Sequence, residues 1–184
     1  MKIYFSGSAS VGKSTLANYV SKHYNLSLVF EQARIVLSEQ ELRIDTLRCD
    51  LDIADTYQQD VFNRQLAEEQ KYTSFVSDRS LIDILAYSGQ YTRILPKLMQ
   101  SSELTTYVAN LKQSGSIIFF VKPHKTLLHQ DGVREILNWE NVIAIDANIK
   151  LLYEMFDINY IQIDTVNMQE RIKMINTALS LAKS

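Results

Sequence analysis

The sequence predicts an α/β fold: a parallel sheet covered by helices on both faces. Two observations carry the prediction. Five short apolar runs, at 3–5, 26–30, 74–77, 117–121 and 160–163, alternate with stretches of helical periodicity. Such alternation builds parallel sheets with helices on either side. The stretch Ser6-Gly7-Ser8-Ala9-Ser10-Val11-Gly12-Lys13-Ser14-Thr15 follows the first run directly and fits GxxxxGK[ST], a glycine-rich turn between a strand and a helix.

The elements follow in order. The first run leads straight into the glycine-rich turn, so it reads as a strand. The second ends at Glu31 and the third at Asp78. Leu104, Tyr107, Val108 and Leu111 form one helical stripe, with Gly115 placed to end it. The fourth run precedes the polar, cationic stretch "VKPHKTLLHQDGVRE", which reads as a lid over about 123–138. Ile149, Leu152, Tyr153 and Phe156 form a second stripe, with Asp146 as the expected N-cap. Met168, Ile172, Ile175 and Leu179 form the last. All three stripes are read as core. No repeat, low-complexity tract or linker interrupts the 184 residues, so a single domain over 1–184 is expected.

Composition narrows the function classes. Hydrophobic residues make up 46% and charged residues 22%, an ordinary globular mix. A net charge of −2 gives no support to broad nucleic-acid binding, which is not favoured as a partner. No apolar run is long enough to cross a bilayer, and the N-terminus lacks the features of a signal peptide. The expectation is a cytoplasmic protein with no membrane contact. A single cysteine, Cys49, excludes an internal disulfide framework or a cysteine-based zinc site.

The glycine-rich turn carries the chemistry. Glycines let backbone N–H groups approach phosphate oxygens, and the following helix offers free N–H groups to an anion. Gly7, Ser8, Ala9, Ser10, Val11, Gly12, Lys13, Ser14 and Thr15 are therefore expected to hold a nucleotide's phosphates, in a P-loop NTPase fold. Lys13 would reach the β- and γ-phosphates and Ser14 would ligate Mg²⁺, making ATP and Mg²⁺ the expected cofactors. The DxxG and NKxD segments of GTPases and the LSGGQ of transporter ATPases are absent. Small-molecule kinases remain. They need a group to position the acceptor, a metal carboxylate, cations for the phosphoryl group and a lid.

Each need has a candidate. Glu31 and Arg34 follow the second strand, and Asp78 and Arg79 follow the third. Asp78 suits Mg²⁺ and Arg79 suits phosphate oxygens. Arg134 is the lid cation expected to close over the transferred group. The catalytic set is thus Lys13, Glu31, Asp78, Arg79 and Arg134. Alternative readings stand beside these: a helix cap for Glu31, a structural ion pair for Asp78 and Arg79, a solvated position for Arg134. His124 and His129 read as solvated rather than as a metal pair. Tyr57 and Phe62 are candidates to stack on an acceptor and Gln59 to read its edge; the alternative for both rings is core packing.

"GSASVGKST", "FEQAR", "YQQDVFNRQLAEE", "VSDRSLIDILAY" and "DGVR" fall in an order that resembles the P-loop small-molecule kinases of the ribosylnicotinamide kinase-like (AAA-domain, NadR-type) family. The resemblance spans nearly the whole chain. It implies a five-stranded parallel sheet with a nucleoside- or nucleotide-kinase-like lid. Glu31 and Asp78-Arg79-Ser80 are also similar to deoxynucleoside kinase positions, where a glutamate after the second strand acts as base and a carboxylate-Arg-Ser triplet follows the third. The triplet here begins with Asp, nearer to thymidylate kinases. Two acceptors stay open at this point. A hydroxyl acceptor makes use of Glu31, whereas a nucleoside monophosphate makes use of Arg34 and Arg79. A hydroxymethylated pyrimidine in DNA and an ATP-bound regulatory module without transfer activity are further alternatives, and a homodimer is not excluded.

Overall fold

The computed structural model describes residues 1–113, 115–127 and 138–182. The elements run β1 (Lys2–Ser6), α1 (Lys13–Tyr24), β2 (Ser27–Val29), α2 (Gln32–Glu39), α3 (Ile44–Cys49), α4 (Leu51–Glu69), β3 (Phe75–Asp78), α5 (Leu81–Tyr91), α6 (Leu95–Met99), α7 (Ser102–Gln113), β4 (Ile117–Val121), a single 3-10 turn at Lys125–Leu127, α8 (Trp139–Met155), β5 (Ile161–Ile163) and α9 (Met168–Leu181). The strands form one sheet in the order β2-β3-β1-β4-β5, and every pair is parallel.

Period-two alternation sends side chains to both faces. On β1, Ile3 and Phe5 join Phe119, Val121 and Ile163 in a core under α1 and α9. Tyr4 turns the other way and joins Phe75, Ile118 and Phe120 under α4, α5, α7 and α8. Apolar residues therefore dominate the strands, with β4 apolar throughout (Ile117–Val121), as a sheet buried on both faces demands. Each fully buried large apolar side chain contributes about 1.5–3 kcal/mol.

Side-chain oxygens start the main helices. Asp50 accepts from Asp52 N (2.9 Å) and Ile53 N (3.1 Å) ahead of α4, and Asn167 accepts from Gln169 N (2.9 Å) ahead of α9. The start of α8 corrects an expectation. Asn138, not Asp146, is its N-cap, accepting from Glu140 N at 3.0 Å. Asp146 lies inside the helix and pairs with Lys150 at 3.0 Å. Ile149, Leu152 and Tyr153 of the expected stripe are buried and Phe156 caps the helix end, but the helix begins two turns earlier than the stripe alone suggests. Gly115 adopts φ 62 just past α7, the left-handed conformation that ends a helix.

The order places β1 in the centre. The chain moves from β1 to one side through α1, then returns across it to β4. Ligands of such sheets bind at this switch point, beyond the carboxyl ends of the strands. Phe5 lies in register with Asp78 on one side and Phe119 on the other. The glycine-rich turn and the Asp78-Arg79-Ser80 triplet thereby emerge side by side.

Candidate active site

The loop between β1 and α1 has the backbone its glycines permit. Gly7 adopts φ 134, and a Cβ there would stand 2.5 Å from the carbonyl oxygen of Val121. Gly12 adopts φ 93 at the N-cap of α1. Ser10 shares the left-handed region at φ 61. The helix begins at Lys13, so its first N–H groups border the loop. Lys13 is buried, and its Nζ donates to Ser8 O across the loop at 2.5 Å. Burial pushes its ammonium pKa down to about 8, with Arg79 pushing the same way against Asp78, Glu31 and Asp83.

Arg79 organises the second half of the site. It is not glycine, yet it adopts φ 100, and its backbone N–H donates to Phe5 O at 3.0 Å. Such a conformation is costly for a residue other than glycine and persists only where surrounding contacts hold it. Its Nε donates to Glu31 Oε1 at 2.7 Å, its Nη1 to Gly7 O at 3.3 Å, and its guanidinium lies 4.9 Å from the Tyr87 ring centre. Burial alone would lower its pKa; Glu31, Tyr87, Asp83 and Asp78 outweigh that and raise it.

Glu31 receives two arginines. Oε1 takes Arg79, and Oε2 takes Arg34 Nε at 2.7 Å. It occupies the N-cap position of α2 but makes no side-chain capping bond, so the cap reading fails. Burial would raise its carboxyl; Arg79, Lys13 and Arg34 outweigh it and hold the pKa at about 2. Glu31 is an ionised acceptor across the whole physiological range.

Asp83 is a residue the sequence reading missed. It is fully buried. Its Oδ1 accepts from Gly7 N at 2.9 Å, and its Oδ2 accepts from Ser80 N at 3.0 Å and Ser80 Oγ at 2.8 Å. One carboxylate thus ties the entry of the phosphate loop to the start of α5. Ser80-x-x-Asp83 has capping-box spacing, which could have revealed it.

A cavity of about 620 Å³ runs from this loop into a chamber between α2, α3, α4, α5 and α8. Ser8 to Thr15, Glu31, Arg34, Arg79 and Tyr57 line it, together with the apolar Leu47, Val61, Ile84 and Ile145. Gly7 stands behind the lining, as the geometry of its two backbone bonds requires. Two expected acceptor residues fall elsewhere. Phe62 is 2% exposed and belongs to the core. Gln59 points outward and donates to Asn63 Oδ1 at 3.1 Å. The glutamine in the wall is Gln58, whose Nε2 donates to Ile84 O at 3.0 Å. With Ala54, Val61, Phe62 and Gln65 it lies on the buried face of α4; that helical spacing was the available signal. Tyr57 spends its hydroxyl on Ala33 O at 2.8 Å and offers its ring to the cavity. Arg134, His129 and most of the expected lid lie outside the described residues. His124 Nε2 is 2.6 Å from Asp164 O, at the end of β5.

The donor set fits a hard cation. Asp78 Oδ1 is buried with no hydrogen-bond partner among the described residues, an orphaned acceptor of the type a metal-bound water satisfies. Ser14 is among the residues of the cavity wall. Among the described residues no three His, Cys, Asp or Glu side chains stand together as a cage.

With the geometry in place, comparison with known proteins locates the chain. No curated protein matches it. Among solved structures, deoxyadenosine kinase from M. mycoides superposes with a TM-score of 0.67 at 14% identity, covering 98% of each chain. The NadR protein in complex with NR gives 0.71 at 16% identity, covering 89% of this chain and 45% of NadR. Shikimate kinase from Aquifex aeolicus gives 0.57 at 17%, covering 98% and 96%. At these identities the likeness establishes the fold, which is that of the P-loop small-molecule kinases. Residues 2–171 match the family described as an AAA domain, and the chain belongs to that family.

Proposed function

We propose that this protein is an ATP-dependent phosphotransferase that moves the γ-phosphoryl group of ATP to a hydroxyl of a nucleoside-like acceptor. The observation that carries the reading is the position of Glu31. Its ionised carboxylate lines the same cavity as the phosphate loop and a largely apolar, acceptor-sized set of side chains, close enough for Lys13 and Arg79 to depress its pKa. Arg34 and Arg79 both engage that carboxylate, which favours a hydroxyl over a monophosphate acceptor. The similar structures named above, among them a deoxyadenosine kinase and a shikimate kinase, support phosphoryl transfer to a small molecule.

The proposed roles draw on this geometry. Loop N–H groups and Lys13 hold the β- and γ-phosphates; Lys13 exchanges Ser8 O for phosphate oxygens as the nucleotide enters. Arg79 stays charged at any accessible pH and faces the transferred group. Glu31 accepts the hydroxyl's hydrogen bond and aims its oxygen at the γ-phosphorus. A carboxylate held at about 2 is a weak base, so the proton leaves late, in keeping with a loose transition state. Mg²⁺, held by Ser14 and Asp78, would neutralise phosphate charge. Tyr57 and Gln58 fix the acceptor's ring.

The test is a radiolabelled ATP screen against nucleosides, nucleoside monophosphates, nicotinamide riboside and hydroxymethylated DNA. Transfer to a free hydroxyl compound supports the reading. Transfer to a monophosphate alone, or to DNA alone, replaces the acceptor. ATP binding without transfer to any of them identifies a regulatory module instead.

A further inference from the structure

Arg171 is 1% exposed, yet it comes from α9, across the sheet from the acceptor chamber. Its Nε donates to Thr165 O at 2.7 Å and its Nη1 to Val11 O at 2.6 Å. Its Nη2 is buried with no partner, and among the described residues no carboxylate pairs with it. Burying a guanidinium without a counterion is costly. An apolar residue would serve the core under α9 better, so the cost needs a return.

The return lies in the bond to Val11 O. We propose that Arg171 is a positioning residue of the phosphate loop: it fixes the Val11–Gly12 peptide so that Gly12 N–H faces the incoming triphosphate. The proposal rests on reading this loop as the ATP site. In a planar trans peptide the C=O and N–H point in opposite directions. Gripping the Val11 carbonyl from outside the loop therefore commits the Gly12 N–H to its inner side. Glycine at φ 93 is free to rotate, and a rotated peptide would present its carbonyl oxygen to an anion. The freedom that lets Gly12 admit the phosphate is the freedom Arg171 removes. The fit is close, since a Cβ on Gly12 would lie 3.1 Å from Arg171 Nη1. Arg79 grips Gly7 O at the other end of the loop. The second bond of Arg171, to Thr165 O, anchors the clamp in the turn after β5.

Arg171→Met keeps the side chain's stem and removes its donors; Arg171→Leu, also without a donor, replaces it should the methionine variant not fold, as judged by circular dichroism. Arg171→Lys keeps a charged donor. Calorimetry measures binding of Mg-ATP and of inorganic tripolyphosphate, and NMR follows the Gly12 amide proton. The wild-type protein should bind both, with the Gly12 proton moving downfield. The donor-free variant should bind both roughly 10- to 100-fold more weakly, without the Gly12 shift, and Arg171→Lys should restore the shift. Undiminished binding in the donor-free variant overturns the clamp and leaves the ATP reading standing. Weaker binding with the Gly12 shift intact also overturns it, because the arginine would then be only structural. A wild-type protein that binds neither probe overturns the ATP reading and the clamp with it.

Discussion

Replacing Glu31 with glutamine separates charge from shape at the centre of the site. The carboxyl is held at about 2 against an ordinary 4.5, worth roughly 3 kcal/mol of preference for the ionised form. Because the folded pKa is depressed, that stability is present above 4.5 and lost only as pH falls towards 2. Glutamine keeps one acceptor for Arg79 but leaves the buried guanidinium facing Asp83 at 3.8 Å as its nearest remaining carboxylate. Glu31→Gln should therefore lose about 2–3 kcal/mol at pH 7, lowering Tm by roughly 4–12 °C for a chain of this size. The kinetic effect should sit at the low end for a proton acceptor, about 10²-fold in kcat, with ATP affinity close to that of the wild type. Differential scanning calorimetry at pH 7 and steady-state kinetics with the acceptor found in the screen make the two measurements. Equal Tm in the two proteins would refute the electrostatic argument. Unchanged kcat with a hydroxyl acceptor would remove Glu31 from the mechanism. An acid limb in wild-type kcat between pH 5 and 7 assigned to Glu31 would contradict its low pKa.

Three further outcomes are expected. Lys13→Ala should weaken ATP binding and cut transfer by about 10²-fold or more, measured by calorimetry and single-turnover kinetics on folded protein. Gln58→Leu should raise the acceptor KM by about 10-fold while Gln59→Leu leaves it within roughly two-fold, since only the first side chain lines the cavity. Burial lifts Glu69, which accepts from Gln65, Tyr4 and Tyr107 beside Lys2, to about 7. The folded chain then holds a proton that the unfolded chain has released between 4.5 and about 7. Its stability should fall as pH rises through that window, by up to about 3 kcal/mol, and Glu69→Gln should flatten the profile in urea titrations.

Much of the architecture was written in local pattern. The five apolar runs became the five strands with shifts of a residue or two, because a two-sided buried strand leaves a short, unbroken apolar signature. The strand order carries no such signature; it depends on which edges meet across the sheet. Glu31, Arg34 and Arg79 stand out in the sequence because they lie just beyond strand ends, and the structure brings the three side chains into contact. Asp83 and Arg171 were not, because each acts from inside a helix on a backbone atom far away in sequence, 76 residues for Asp83 and 160 for Arg171. The sequence points to Gln59 where the structure puts Gln58 in the cavity wall, because two adjacent glutamines differ only in which face of α4 they occupy. Asp146 looked like a cap because acidic residues start helices, and nothing local showed that the helix had already begun.

The two outermost strands, β2 and β5, are three residues long each. An exposed strand edge is a template on which another chain can build, and its hazard grows with its length. Here each rim offers only a turn's worth of unpaired backbone groups, too few to seed a continuous ladder between molecules. The protein is thereby guarded against edge-to-edge aggregation despite an interior rich in phenylalanine, isoleucine and valine. Among the described residues, a broader apolar surface than either rim lies on α8, which bears Leu151 and Met155, 58% and 60% exposed.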